Sequence, residues 1–268
     1  MTVRKRYQHE SVEGVKVGRL NAGINTNFIV YRVGDTLIDT GPSNQWRSVK
    51  PFVQAAPVNQ LLMTHHHEDH SGNGARIAKL CGITPKAPAL AYEKLAKGYP
   101  TPLVQKIVWG SPIPVETQPL QAREYFSDGS EIIPVHTPGH AKDLTCFYVP
   151  EKRWLFSGDL YIAKSLKYLR ADENLTDLIA SLEKVLALDF DVVFCPHAGI
   201  IADGKTAMAT KRDNLIGMCA QAQSMKQSGK SIREITQALL GEEDMLSKIS
   251  RYNISKGNLI KEALAVPL

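Results

Sequence analysis

The chain has 268 residues, 43% of them apolar and 22% charged, the balance of an ordinary globular protein. No apolar run approaches the ~20 residues of a membrane helix, so no membrane partner is expected. A net charge of +5 and a pI near 8.9 lean toward acidic partners or substrates, yet without a basic run they leave nucleic acid neither indicated nor excluded. The N-terminus, MTVRKRYQHE, lacks the apolar stretch of a secretory signal, and the expected location is the cytoplasm. Cys81, Cys146, Cys195 and Cys219 form no C-x-x-C pair and read as reduced core thiols.

Taken in chain order, residues 12–40 read as β structure. Val12, Val15 and Val17 are spaced apolars, Asn27–Val33 is a strand, Gly34-Asp35 a turn, and Thr36–Asp39 a returning strand that stops at Gly41-Pro42. A helix near 44–55, a strand near 60–64 and a helix near 72–81 follow. Seven prolines between 83 and 119 make that stretch mostly loop around one short helix near 89–97. Strands are expected at 131–136, 144–149, 153–157 and 191–195, with a helix at 174–188 between the last two. From about 205 the pattern is helical. Ser231-Ile232-Arg233-Glu234 is a capping box, and Ser255 caps a last helix from Lys256 to Ala265. The division expected is 1–204 for the catalytic domain and 205–268 for a C-terminal helical extension on or near the active site.

The densest chemistry lies at Thr64-His65-His66-His67-Glu68-Asp69-His70, after a strand and before a helix. Imidazole nitrogens and carboxylate oxygens are the ligands of a borderline divalent metal. In an extended segment His65 and His67 share one side while His66 points away, so His66 and Glu68 read as spacers. Three more candidate ligands follow strand ends beside Gly or Pro: His140 in Thr-Pro-Gly-His, Asp159 in Ser-Gly-Asp and His197 in Pro-His-Ala-Gly. Seven ligands serve two sites if one carboxylate is shared. His65, His67 and His140 then take one ion; Asp69, His70 and His197 the other; Asp159 bridges.

H-x-H-x-D-H, then T-P-G-H, S-G-D and P-H-A-G in this order resemble the metallo-β-lactamase-fold hydrolase superfamily over roughly residues 12–200, and the strand pair ending in Asp39-Thr40-Gly41 is similar to that family's N-terminal hairpin. The resemblance implies an α/β fold, a four-layer αββα sandwich of two mixed β-sheets with helices outside and a dinuclear metal site along one edge. Asp159 stands where cysteine-ligand β-lactamases carry Cys, and His67 where flavodiiron reductases carry Glu. The ligand set is therefore similar to that of glyoxalase II, the lactonases and the tRNA-processing nucleases, not the true β-lactamases.

The function expected is a dinuclear hydrolase whose metal-bound hydroxide attacks an ester, thioester or lactone, with Asp69 orienting or deprotonating it. Its cofactors are two divalent ions, zinc first, with iron or manganese acceptable to the same ligands. Its partner is a small, anionic molecule; the oligomeric state stays open. The alternatives are a phosphodiesterase or endoribonuclease, and an iron-dependent persulfide dioxygenase with a single metal. Asp39 reads as a supporting or turn residue, His136 as a satisfied structural histidine and Cys195 as core. Tyr161–Arg170 offers a cationic lip or a carbonyl-polarising tyrosine, against the slightly heavier reading of a solvated charged face. The stretch 231–265 either shapes the site mouth or forms a winged-helix-like unit.

Overall fold

The computed structural model describes residues 3–20 and 26–268, which divide into two compact units. The first comprises residues up to 136, 143–162 and 189–204; the second comprises 137–142, 163–188 and 205–268.

The first unit holds both large sheets. One runs in the order β1 (Lys5–His9), β2 (Val12–Val17), β3 (Phe28–Val33), β4 (Thr36–Ile38), β5 (Gln60–Leu62), β6 (Lys86–Ala87) and β7 (Gln118–Pro119). It is antiparallel up to β4 and parallel beyond. The other contains β8 (Glu124–Tyr125), β9 (Glu131–His136), β10 (Thr145–Val149) and β11 (Trp154–Phe156), and then, past β12 (Leu169–Arg170) of the second unit, β13 (Val192–Cys195) and β14 (Gly199–Ile201). Its one parallel pairing joins β11 to β13, with Trp154 opposite Val192.

Strand β3 shows why a fully buried strand loses polar alternation. Ile29, Tyr31 and Val33 face the second sheet and pack with Phe147, Trp154, Phe156 and Phe194. Phe28 and Val30 face the other way, onto Val49, Phe52 and Val53 of α1 (Trp46–Gln54), Ile77 of α2 (Gly74–Cys81) and Leu95 of α3 (Tyr92–Lys97). Arg32, on this outer face, is buried because its guanidinium donates to Phe52 O at 2.6 Å, Val53 O at 3.0 Å and Ala56 O at 3.1 Å, capping the end of α1. Between the sheets, Phe156 stacks on Phe194 with centroids 4.6 Å apart, and Trp154 meets the same ring edge-on at 5.5 Å. Trp154→Ala is expected to cost about 3–5 kcal/mol, read as a lower urea midpoint.

Two expectations are corrected. Strand β1 was not anticipated, because Lys-Arg-Tyr-Gln-His is too polar to register; it is a charged edge strand that pairs along β2. The proline-rich stretch carries a second helix, α4 (Leu103–Val108), which Pro102 precedes at the N-cap.

The second unit is helical: α5 (Leu175–Leu186), α6 (Gly204–Gln227), α7 (Ile232–Leu240), α8 (Met245–Ile249) and α9 (Lys256–Ala265), with β12 paired to β15 (Ile254–Ser255). The expected caps are present: Ser231 and Glu234 form the reciprocal box, and Ser255 Oγ accepts from Asn258 N at 3.0 Å. The 231–265 stretch is three helices with two residues of strand. No described helix is long and apolar enough to cross a membrane.

Candidate metal centre

Within the first unit the C-terminal ends of two parallel strand pairs carry the chemistry. Asp39 follows β4 and Thr64–His70 follow β5; Asp159 follows β11 and His197 follows β13. Donor atoms of His65, His70 and Asp159 all lie within 4.8 Å of one another, as do those of Asp69, His70 and His197. These side chains are buried.

The hydrogen bonds of the supporting residues set the tautomers. His70 Nδ1 lies 2.7 Å from Asp39 Oδ2, and a carboxylate only accepts, so Nδ1 carries the proton. His197 Nδ1 donates to the Asn27 carbonyl at 2.8 Å by the same reasoning. Each ring therefore presents an Nε2 lone pair, and both are aimed at Asp159 Oδ1, from 3.1 Å and 3.2 Å. His197 Nε2 is also 3.5 Å from Asp69 Oδ2. In a dry site each Nε2 must share a cation, a proton or a metal ion, with the Asp159 carboxylate. Burial alone would push the His70 pKa down, but Asp159, Asp39 and Asp69 together hold it well above the ordinary imidazole range. His197 is raised in the same way, by Asp159 and Asp69 against burial. The nitrogen and oxygen donor set fits a borderline divalent ion at this position. His65 Nε2 and His67 Nδ1 face each other at 3.0 Å, as the alternation of side chains predicts, while His66 points elsewhere.

His140 lies in the second unit, on the Thr137–Lys142 segment whose neighbours in the chain, His136 and Asp143, belong to the first. Its Nδ1 pairs with Glu173 Oε1 at 2.7 Å, leaving Nε2 as the electron-pair donor of the ring. Gly139 occupies φ +134°, and a Cβ there would come within 2.5 Å of Leu178 backbone atoms, so the turn before His140 requires glycine.

Several bracing residues escaped the sequence reading. Asn73, treated as one more helical residue, donates through Nδ2 to the carbonyls of Thr40, Gly41 and Pro42 at 2.9–3.0 Å. Thr40 N and Oγ1 both donate to His70 O, at 2.8 and 2.7 Å. Gly72 has no room for a side chain: a Cβ would meet Glu68 O at 2.4 Å and Ser43 N at 2.5 Å. Phe28 meets the rings of His70 and His197 edge-on at 4.7 and 5.6 Å. Only Asp39 among these supports was expected.

Other candidate residues have partners of their own. Tyr168 OH donates to Asp244 and, chiefly through that bond, its pKa is pushed up to about 12; Arg170 pairs with Asp172. Neither is a group waiting for substrate, whereas Lys164 and Lys167 are exposed. His136, expected to be a satisfied structural histidine, closes β9 at an exposed position. Cys195 is buried and donates through Sγ to Tyr161 O at 2.7 Å.

A family model described as the metallo-beta-lactamase superfamily matches residues 22–197. The chain belongs to that superfamily. Among relatives, a lactamase-like protein of Pestalotiopsis microspora is 26% identical over 72% of this chain and 57% of its own length. An atrochrysone carboxyl ACP thioesterase of Aspergillus fumigatus is 27% identical over 67% of this chain and 52% of its own. The chain thus spans little more than half the length of these curated relatives. The crystal structure of a beta-lactamase domain protein from Burkholderia ambifaria superposes with a TM-score of 0.75 at 14% identity, covering 98% of this chain and 88% of that one, a likeness of fold. The His/Asp cluster gives this superfamily member a donor set that can hold a metal ion.

Proposed function

We propose that this superfamily member holds two divalent ions, zinc ahead of iron or manganese, and hydrolyses a thioester, ester or lactone of a small, anionic substrate. His65, His67 and His140 hold one ion, Asp69, His70 and His197 the other, and Asp159 bridges. The observation that carries the dinuclear reading is the position of Asp159, grouped with His65 while its Oδ1 faces the Nε2 atoms of His70 and His197. A bridging carboxylate needs donors of both sets around it. When bound, two such ions lower the pKa of water toward neutrality and polarise the oxygen of the electrophile.

The chain's own residues do the rest. Asp39 and the Asn27 carbonyl fix which nitrogen of His70 and of His197 is the donor. Asp69 orients the attacking water, accepts its proton at a carboxylate oxygen and returns it to the leaving thiolate or alkoxide. All seven ligands lie in residues 1–204, which we take as the catalytic domain, with 205–268 as the helical extension. A thioester is placed first because a relative bears a thioesterase name.

The test is a metal count with a substrate panel. Protein dialysed against chelator is expected to lose turnover and to regain it with two zinc ions per chain. An acyl thioester should be cleaved faster than a lactone, and both faster than bis-p-nitrophenyl phosphate. Turnover confined to the phosphodiester overturns the carbonyl reading; a single iron with oxygen consumption overturns hydrolysis.

A further inference from the structure

His66, the spacer of the histidine run, is bound at each of its polar atoms. Its backbone N–H donates to Asp143 Oδ2 at 2.8 Å, and its Nδ1 lies 2.8 Å from Asp143 Oδ1. Its Nε2 is 2.9 Å from Lys94 Nζ. Its carbonyl accepts from Ser71 Oγ at 2.7 Å and from Tyr99 OH at 2.9 Å. An ammonium only donates and a carboxylate only accepts, so the neutral ring takes Lys94 on Nε2 and gives Nδ1–H to Asp143. Both His66 and Asp143 are buried. Burial alone would raise the Asp143 carboxyl, but the bonds from His66 outweigh it and hold its pKa below the ordinary range.

The connection spans the fold. His66 follows β5 of the first sheet, Asp143 precedes β10 of the second, and Lys94 lies on α3. Next to it, Thr145 N donates to Thr64 O at 3.0 Å, so the strand entering the second sheet grips both sides of His65. We propose that the Lys94–His66–Asp143 chain is a positioning device, with Asp143 the positioning residue that clamps the peptide between His65 and His67 so that both rings turn toward one point. This rests on the reading of His65 and His67 as metal ligands. Without the Asp143 carboxylate, two donors of His66 lie in a dry place with no acceptor, and the segment rotates to satisfy them. Because ligand faces alternate along it, any such rotation separates His65 from His67.

The test titrates metal-free protein with zinc by calorimetry and with cobalt by visible absorption, in wild type, Asp143→Ala, Asp143→Asn and Lys94→Met. Asp143→Ala is expected to bind zinc about 10–100-fold more weakly, the range for loss of a ligand-orienting group, and to alter the cobalt ligand-field bands. Asp143→Asn keeps one acceptor for the His66 N–H and should recover part of the affinity. Lys94→Met changes an exposed side chain, so it reports on the same chain if Asp143→Ala fails to fold. It should shift the cobalt bands and weaken zinc by a few-fold. A purely structural Asp143 would lower the melting temperature and leave both metal readouts of the folded protein unchanged, and folded variants with wild-type zinc affinity and cobalt bands overturn the positioning role. Failure of wild type itself to bind zinc overturns the metal reading and this inference with it.

Discussion

His70→Ala is expected to lower turnover at least ~1,000-fold and to leave roughly half the wild-type metal or less. The ring is held by Asp39 at Nδ1 and faces Asp159 at Nε2. Its loss gathers Asp39, Asp69 and Asp159 around a cavity with one fewer nitrogen donor, which weakens the grip on a cation where the charge of the reaction develops. A metal-stabilised transition state is worth several kcal/mol, and about 4 kcal/mol corresponds to roughly a thousandfold in rate. Metal analysis of the purified variant and a thioester assay per folded chain read both effects. His136→Ala, at an exposed strand end, is the control and should change neither. Full metal content and full turnover in His70→Ala would remove the site as described.

Much of this centre was legible because the three later candidate donors stand next to their own punctuation. Gly158 before Asp159, Pro196 before His197 and Gly139 before His140 announce a turn at a strand end, and the strands themselves are apolar runs that periodicity detects. What stayed hidden depends on distances across the fold. Nothing local marks Asp143 as the acceptor for His66, seventy-seven positions away, or Asn73 as the residue that ties down the Thr40–Pro42 carbonyls. Strand β1 was hidden for the opposite reason: an edge strand needs no apolar alternation, since its stability comes from pairing with β2. The partner that orients His140, Glu173, sits in the loop before α5, where an acidic residue ordinarily reads as solvated surface.

Asp39→Asn is expected to weaken zinc binding about 10–100-fold while leaving the fold in place. Asp39 lies in the left-handed region at φ +57°, a conformation asparagine tolerates, so the backbone of the turn after β4 has no cause to move. The change is electronic. Asp39 Oδ1 accepts from Thr64 N at 2.8 Å, and Oδ2 accepts from Thr64 Oγ1 at 2.9 Å and from His70 Nδ1 at 2.7 Å. An amide supplies one acceptor and one donor where the carboxylate supplies two acceptors. If the amide oxygen keeps the Thr64 N–H, the NH2 group faces His70 Nδ1, and the imidazole must move its proton to Nε2, the atom that offers its lone pair to the metal. If the amide flips, Thr64 N–H loses its acceptor in a buried place, at a cost of about 1–3 kcal/mol. Either arrangement spoils the site, the first through the tautomer and the second through stability. Nitrogen-resolved NMR of the His70 ring identifies the tautomer, and zinc calorimetry measures the affinity. Wild-type affinity with the proton still on Nδ1 would show that Asp39 only shapes the turn; a shifted proton with weakened zinc would show that a residue outside the ligand set decides which nitrogen can bind.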